Sequence, residues 1–155
     1  MKEEYPSENL LKYDNYKEQF KRLNKAINNN FYLEAMFIAY AIMEDRLESI
    51  LSYEGNEINS KNFVSINKKL QKVKRIAERK NSLPARYFSD SLIDEILEWK
   101  EKRNKLMHAL MKQALTTEEL CTTALQGKIL ARKLANKATS YRRVVERKNK
   151  GRFDI

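Results

Sequence analysis

This chain of 155 residues predicts an all-α fold, and three observations carry that expectation. Gly and Pro together occupy five positions where average usage calls for roughly 18, which starves the chain of hairpin turns and glycine-rich phosphate loops and argues against all-β, Rossmann and P-loop folds. Apolar residues recur at the 3.6-residue period over long stretches, with no alternating strand pattern between them. The connections between those stretches are short, which favours an up-and-down bundle of four to five helices. One domain spanning 1–147 and a basic C-terminal tail, 148–155, are expected.

The first helix runs from about Ser7 to Ile27, with Leu10, Tyr13, Tyr16, Phe20, Leu23 and Ile27 on one side, and the Asn run at 28–30 ends it. The second, about Phe31 to Tyr53, is the most apolar and is expected at the centre, with Leu33, Met36, Phe37, Tyr40, Leu47 and Leu51 as its stripe. A third covers about Asn62 to Lys80, where Phe63, Ile66, Leu70, Val73 and Ala77 form a seam opposite a basic face; Pro84 then breaks the chain. A fourth starts near Ser89 or Ser91, with Asp94 placed to reach back as a cap, and continues to about Met111. The fifth opens at Thr116 with Glu119 in capping-box spacing and extends to about Arg147, roughly 48 Å if unbroken. Along it Leu120, Ala124, Gly127, Ala131, Leu134, Ala138, Tyr141 and Val145 repeat at alternating spacings of four and three, mostly small side chains that permit close approach of a neighbour.

Thirty-one Lys and Arg stand against 21 Asp and Glu, and the excess is clustered. Residues 61–80 carry eight basic side chains against Glu78 alone, and residues 128–155 carry ten against Glu146 and Asp154. Clustered positive charge is the footprint of a polyanion, because each neutralised phosphate releases counterions. Lys68, Lys69, Lys72 and Arg75 of the third helix and Arg132, Lys133, Arg142 and Arg143 of the fifth are therefore expected to bind a polyanion such as RNA. The same pattern also describes a plain solvated face. The longest apolar run, Ala35 to Met43, is too short to cross a bilayer and the start of the chain carries no signal-peptide pattern, so a cytoplasmic protein with no membrane partner is expected. One Cys and one His cannot supply the ligands of a typical zinc site. Cys121 reads as a small core residue.

The string LIDEILEWKEKRNKLMHALMK is the most informative stretch. Leu92, Ile96, Trp99, Arg103, Leu106 and Leu110 share a seam, so an arginine sits in an apolar row. Guanidinium cannot shed its charge in a protein, so Arg103 must point into a cleft, meet an anion or pair with a carboxylate. Glu44, which falls in the stripe of the second helix, is a candidate partner. Asn104 and His108 are i, i+4 neighbours one step round. Arg103 and His108 lie about 140° apart on a regular helix, so aiming both at one atom needs a second copy of the helix or a local distortion. An Arg103–Glu44 ion pair with His108 as a half-buried imidazole is the purely structural reading.

Arg103-Asn104-Lys105-Leu106-Met107-His108 resembles the signature of the HEPN (higher eukaryote and prokaryote nucleotide-binding) superfamily: Arg, a polar residue, and His after an interval of four to six. The second helix, LEAMFIAYAIMEDRLESIL, is similar to the apolar helix that precedes the motif in many members. The resemblance covers two helices, roughly 50 residues. It implies a homodimer in which two motifs face each other across a cleft. The implied activity is that of a metal-independent endoribonuclease of toxin or phage-defence type, without a cofactor, which leaves 2′,3′-cyclic phosphate. His108 would act as general acid/base, Arg103 would stabilise charge on the scissile phosphate, and Asn104 would orient the phosphate or His108. An antitoxin protein is an implied partner. Members modified on a Tyr two residues after the His have no counterpart here, where Leu110 holds that place. Other members have lost catalysis, and a non-catalytic helical module binding nucleic acid or protein is the alternative.

Overall fold

The computed structural model describes residues 8–55 and 64–153, the side chains of 8–10, 152 and 153 excepted. It is all-α, with six helices among the described residues: α1 (Glu8–Asn28), α2 (Tyr32–Tyr53), α3 (Ile66–Ala77), α4 (Leu83–Phe88), α5 (Leu92–Ala109) and α6 (Thr117–Phe153). Lys61, Asn62 and Phe63 of the expected third helix and the side chains of Leu10 and Arg152 lie outside what is described.

The Asn run stops α1 by a left-handed residue. Asn30 has φ +62°, and the Phe31 N–H donates back to the Ala26 carbonyl at 2.8 Å, which satisfies the orphan carbonyls of the last turn and folds α2 back along α1. At the other end of the chain the capping box forms as the spacing predicts. The Thr116 N–H donates to Glu119 Oε2 at 3.0 Å and the Glu119 N–H to Thr116 Oγ1 at 3.2 Å.

Ser91 does not cap. Its hydroxyl donates to Glu95 at 3.2 Å, Asp90 accepts from the Leu92 N–H at 3.3 Å, and Asp94 instead meets Lys74 at 2.8 Å. The break expected at Pro84 is a further helix: Ser82 accepts from the Ala85 N–H, and proline sits in the first turn of α4, where its missing N–H costs nothing. Helix α6 does not end near Arg147 but continues to Phe153.

Helices α2 and α6 form the centre of the bundle and run parallel. Tyr53 at the end of α2 donates to Glu146 late in α6, and Tyr141 donates to Glu54, while Tyr32 at the start of α2 lies beside Cys121. Helix α5 runs against α6, tied at one end by Lys137 to Asp90 and at the other by the Trp99 indole N–H to the Thr123 carbonyl at 2.8 Å. Helices α1, α2, α5 and α6 therefore alternate up and down. Helix α3 breaks the alternation: the pairs Lys100–Asn67 and Lys74–Asp94 set it antiparallel to α5, hence in the sense of α2.

The small-residue row of α6 is the inner one. Ala124, Ala131, Leu134, Ala138 and Tyr141 are buried, and at Gly127 the indole of Trp99 lies so near that an added Cβ would fall 2.5 Å from its Cζ2. Tyr87, Phe88 and Tyr141 close the other end of that interface with tilted and edge-to-face contacts at 5.4–6.2 Å. On α2 the core side is Met36, Ala39, Met43, Leu47, Ile50 and Leu51; Leu33 and Phe37, expected in the stripe, lie on the surface, as does Tyr13 of α1. Cys121 is half-buried rather than core.

Candidate functional site

Arg103, Asn104 and His108 all lie in the last turns of α5, whose backbone is α-helical without interruption to Ala109. The seam brings Arg103 against α2, where its Cζ stands 4.5 Å over the Tyr40 ring, a cation–π stack that shields the guanidinium without neutralising it. Arg103 donates to Asn104 Oδ1 at 3.2 Å. Its Nε is buried and has no hydrogen-bond acceptor among the described residues. His108 is exposed, with no hydrogen-bond partner among the described residues.

Glu44 is not the partner of Arg103. It accepts from Lys69 at 2.8 Å, and Glu48 accepts from the same ammonium at 2.5 Å. Lys69 is only 3% exposed, so the sequence reading of it as part of an RNA-binding surface gives way to an internal ion cluster. Burial by itself would lower the Lys69 pKa, but the two carboxylates hold it above the usual lysine value. Glu44 still shapes the site from a distance: burial and then the Glu44 charge push the Tyr40 hydroxyl up, against the pull of Arg103 and Lys69.

The remaining basic residues fall into two groups that the structure does not bring together. Lys68 and Arg75 are exposed on α3, with Lys72 half-buried beside them. Arg132, Arg142 and Arg143 line a groove between α6 and α1 instead; Arg132 stacks on Phe20 at 3.7 Å and Arg142 Nε comes within 3.8 Å of Glu146. Lys133 is exposed on α6 outside the lining of that groove. No group of three or more His, Cys, Asp or Glu among the described residues is placed to hold a metal ion, and no described helix is long and apolar enough to cross a membrane.

Two features escaped sequence reasoning. Tyr40 was assigned to the core stripe, and its role as the platform under Arg103 depends on how α5 crosses α2, which periodicity does not reveal. Lys17 and Lys21 of α1 lie in the α1–α6 groove; their i, i+4 spacing was the available signal.

Fold and site together define a small all-α bundle that presents an arginine without a carboxylate partner among the described residues and an exposed histidine at the end of one helix. Compared with models of protein families, with curated proteins and with solved structures, the chain matches none of them.

Proposed function

We propose that the chain is a metal-independent endoribonuclease of HEPN type, toxin-like or defence-like, cleaving RNA at a composite site in a homodimer. The observation that carries this reading is the state of Arg103: with Glu44 taken by Lys69, its guanidinium is stacked on Tyr40 and hydrogen-bonded to Asn104, and no carboxylate among the described residues competes with a phosphate for its charge. The uninterrupted helix keeps Arg103 and His108 on different faces of α5, and a second copy would bring one of each to the same phosphate. Phe37, 66% exposed, and Leu33 lie on α2 near Tyr40 and offer that copy an apolar surface.

In this reading the imidazole of His108 takes the proton of the ribose 2′-hydroxyl or gives one to the leaving 5′-oxygen, while Arg103 binds the phosphate as its charge develops. The products are a 2′,3′-cyclic phosphate and a 5′-hydroxyl. Cytoplasmic RNA is the expected substrate and an antitoxin protein the expected regulator.

Cleavage of a labelled single-stranded RNA pool in excess EDTA tests the proposal. Turnover that resists EDTA, leaves cyclic phosphate ends and disappears in His108→Ala and Arg103→Ala supports it; unchanged turnover in both variants sinks it. A non-catalytic module binding nucleic acid or protein is the second reading. What favours it is that no described side chain orients His108, whereas acid/base imidazoles are commonly held by a partner.

A further inference from the structure

The groove between α1 and α6 is a site of its own. It has a volume of about 830 Å³ and is lined by seven basic side chains against three acidic ones. It lies on the flank where α1 covers α2 and α6, whereas Arg103 faces α2 from α5. The acids are partly engaged: Glu18 lies 3.5 Å from Arg22, and Glu146 accepts from Tyr53 and flanks Arg142. Lys17, Lys21 and Arg143 are exposed, and no carboxylate pairs with them among the described residues. Two polar atoms of the lining, Asn24 Oδ1 and Arg142 Nε, are buried without a hydrogen-bond partner among the described residues, an acceptor and a donor that water or protein ordinarily satisfies.

We propose that the α1–α6 groove binds the sugar–phosphate backbone of a single-stranded nucleic acid, independently of the Arg103 site. Three properties select this ligand. Positive charge stands on both walls, so the groove encloses a chain of anions. Lys17 and Lys21 are one turn apart, about 6 Å along the helix axis, a repeat suited to successive phosphates of an extended strand. Tyr13, 65% exposed on the α1 wall, gives a flat face for one base, and sequence-tolerant stacking of this kind accompanies backbone tracking in single-strand binders. From Lys12 to Asn24 the lining spans about 18 Å, enough for a few nucleotides.

The test measures fluorescence anisotropy of labelled 12-mers with the full chain carrying His108→Ala, so that cleavage plays no part in the readout. The expected result is salt-dependent binding of oligo(U) or oligo(dU), weakened about tenfold or more by Lys21→Glu with Arg143→Glu and less than about threefold by Lys68→Glu with Arg75→Glu on α3. Both pairs are exposed, and unchanged thermal unfolding verifies that the fold survives. The tighter of oligo(U) and oligo(dU), which differ only in the 2′-hydroxyl, identifies the sugar. Equal losses from the two charge reversals would overturn the proposal, as would a duplex bound as tightly as the single strand or displacement of the strand by a poly-glutamate peptide at equal charge. Because the histidine is already absent, failure here leaves the ribonuclease reading untouched, and failure of that reading leaves the groove untouched.

Discussion

At the scale of single residues, charge partners decide roles that spacing leaves open. The sequence offers Arg103 as the partner of Glu44 and Lys69 as part of a basic face, and only the crossing of α2, α3 and α5 determines that lysine takes the carboxylate and arginine the ring. The variants should separate accordingly. His108→Ala is expected to lower RNA cleavage by about 10²–10⁴ with little change in stability, read by initial rates and thermal unfolding on one preparation. Lys69→Met is expected to do the reverse, costing about 1–3 kcal/mol because two carboxylates lose their donor, with RNA affinity unchanged within about twofold. A related cluster predicts the acid response. Burial alone would raise the Asp45 pKa, yet hydrogen bonds from Tyr16 and Arg46 and the charge of Lys12 bring it below the usual 3.8; Asp90, held by Lys137, shifts the same way. A carboxylate depressed in the folded state adds stability above its unfolded pKa and loses it as pH falls through the folded one. Urea midpoints should therefore drop below about pH 4, and Asp45→Asn should flatten that drop.

Among the helices, two local signals held. The Asn30 stop and the Thr116–Glu119 box depend on neighbours within a few residues, and both form. The small-residue row of α6 also proved to be the inner row, because a period maintained over many turns fixes a face whatever the partner. Errors arose where competition is tertiary. Asp94 left the expected cap for Lys74, and the stripe of α2 was placed too far round at Leu33 and Phe37 because that helix has apolar residues on most sides; Pro84 is a local exception, since Ser82 caps the turn that the proline enters. Gly127 gives a sharp test of the α5–α6 fit. Alanine there gains about 1 kcal/mol of helix propensity, but its methyl overlaps the Trp99 ring, which is walled in and anchored to Thr123. Gly127→Ala is expected to lower stability by about 1–3 kcal/mol net, measured by urea denaturation.

For the whole molecule, the fold class was legible in the scarcity of Gly and Pro, while the parallel pairing of α2 with α6 and the reversal of α3 were not, since neither leaves a local mark. The candidate motif was legible as a string and silent about its surroundings: the Tyr40 stack, the unmet Nε and the separation of the two basic groups depend on packing. Assembly is where the composite-site proposal is most exposed. Light scattering is expected to give about twice the 18.4 kDa chain mass, and a monomer at micromolar concentration would remove the means of aligning Arg103 with His108. The contact between Trp99 and Gly127 extends to how such experiments are followed. Trp99 is the single tryptophan of the chain and fully buried, so the protein carries one built-in fluorophore, stationed where α5 meets α6. Its emission will be blue-shifted while the two helices are docked and will move to the red when they part, so detachment of the motif-bearing helix can be timed by stopped flow without attaching a label.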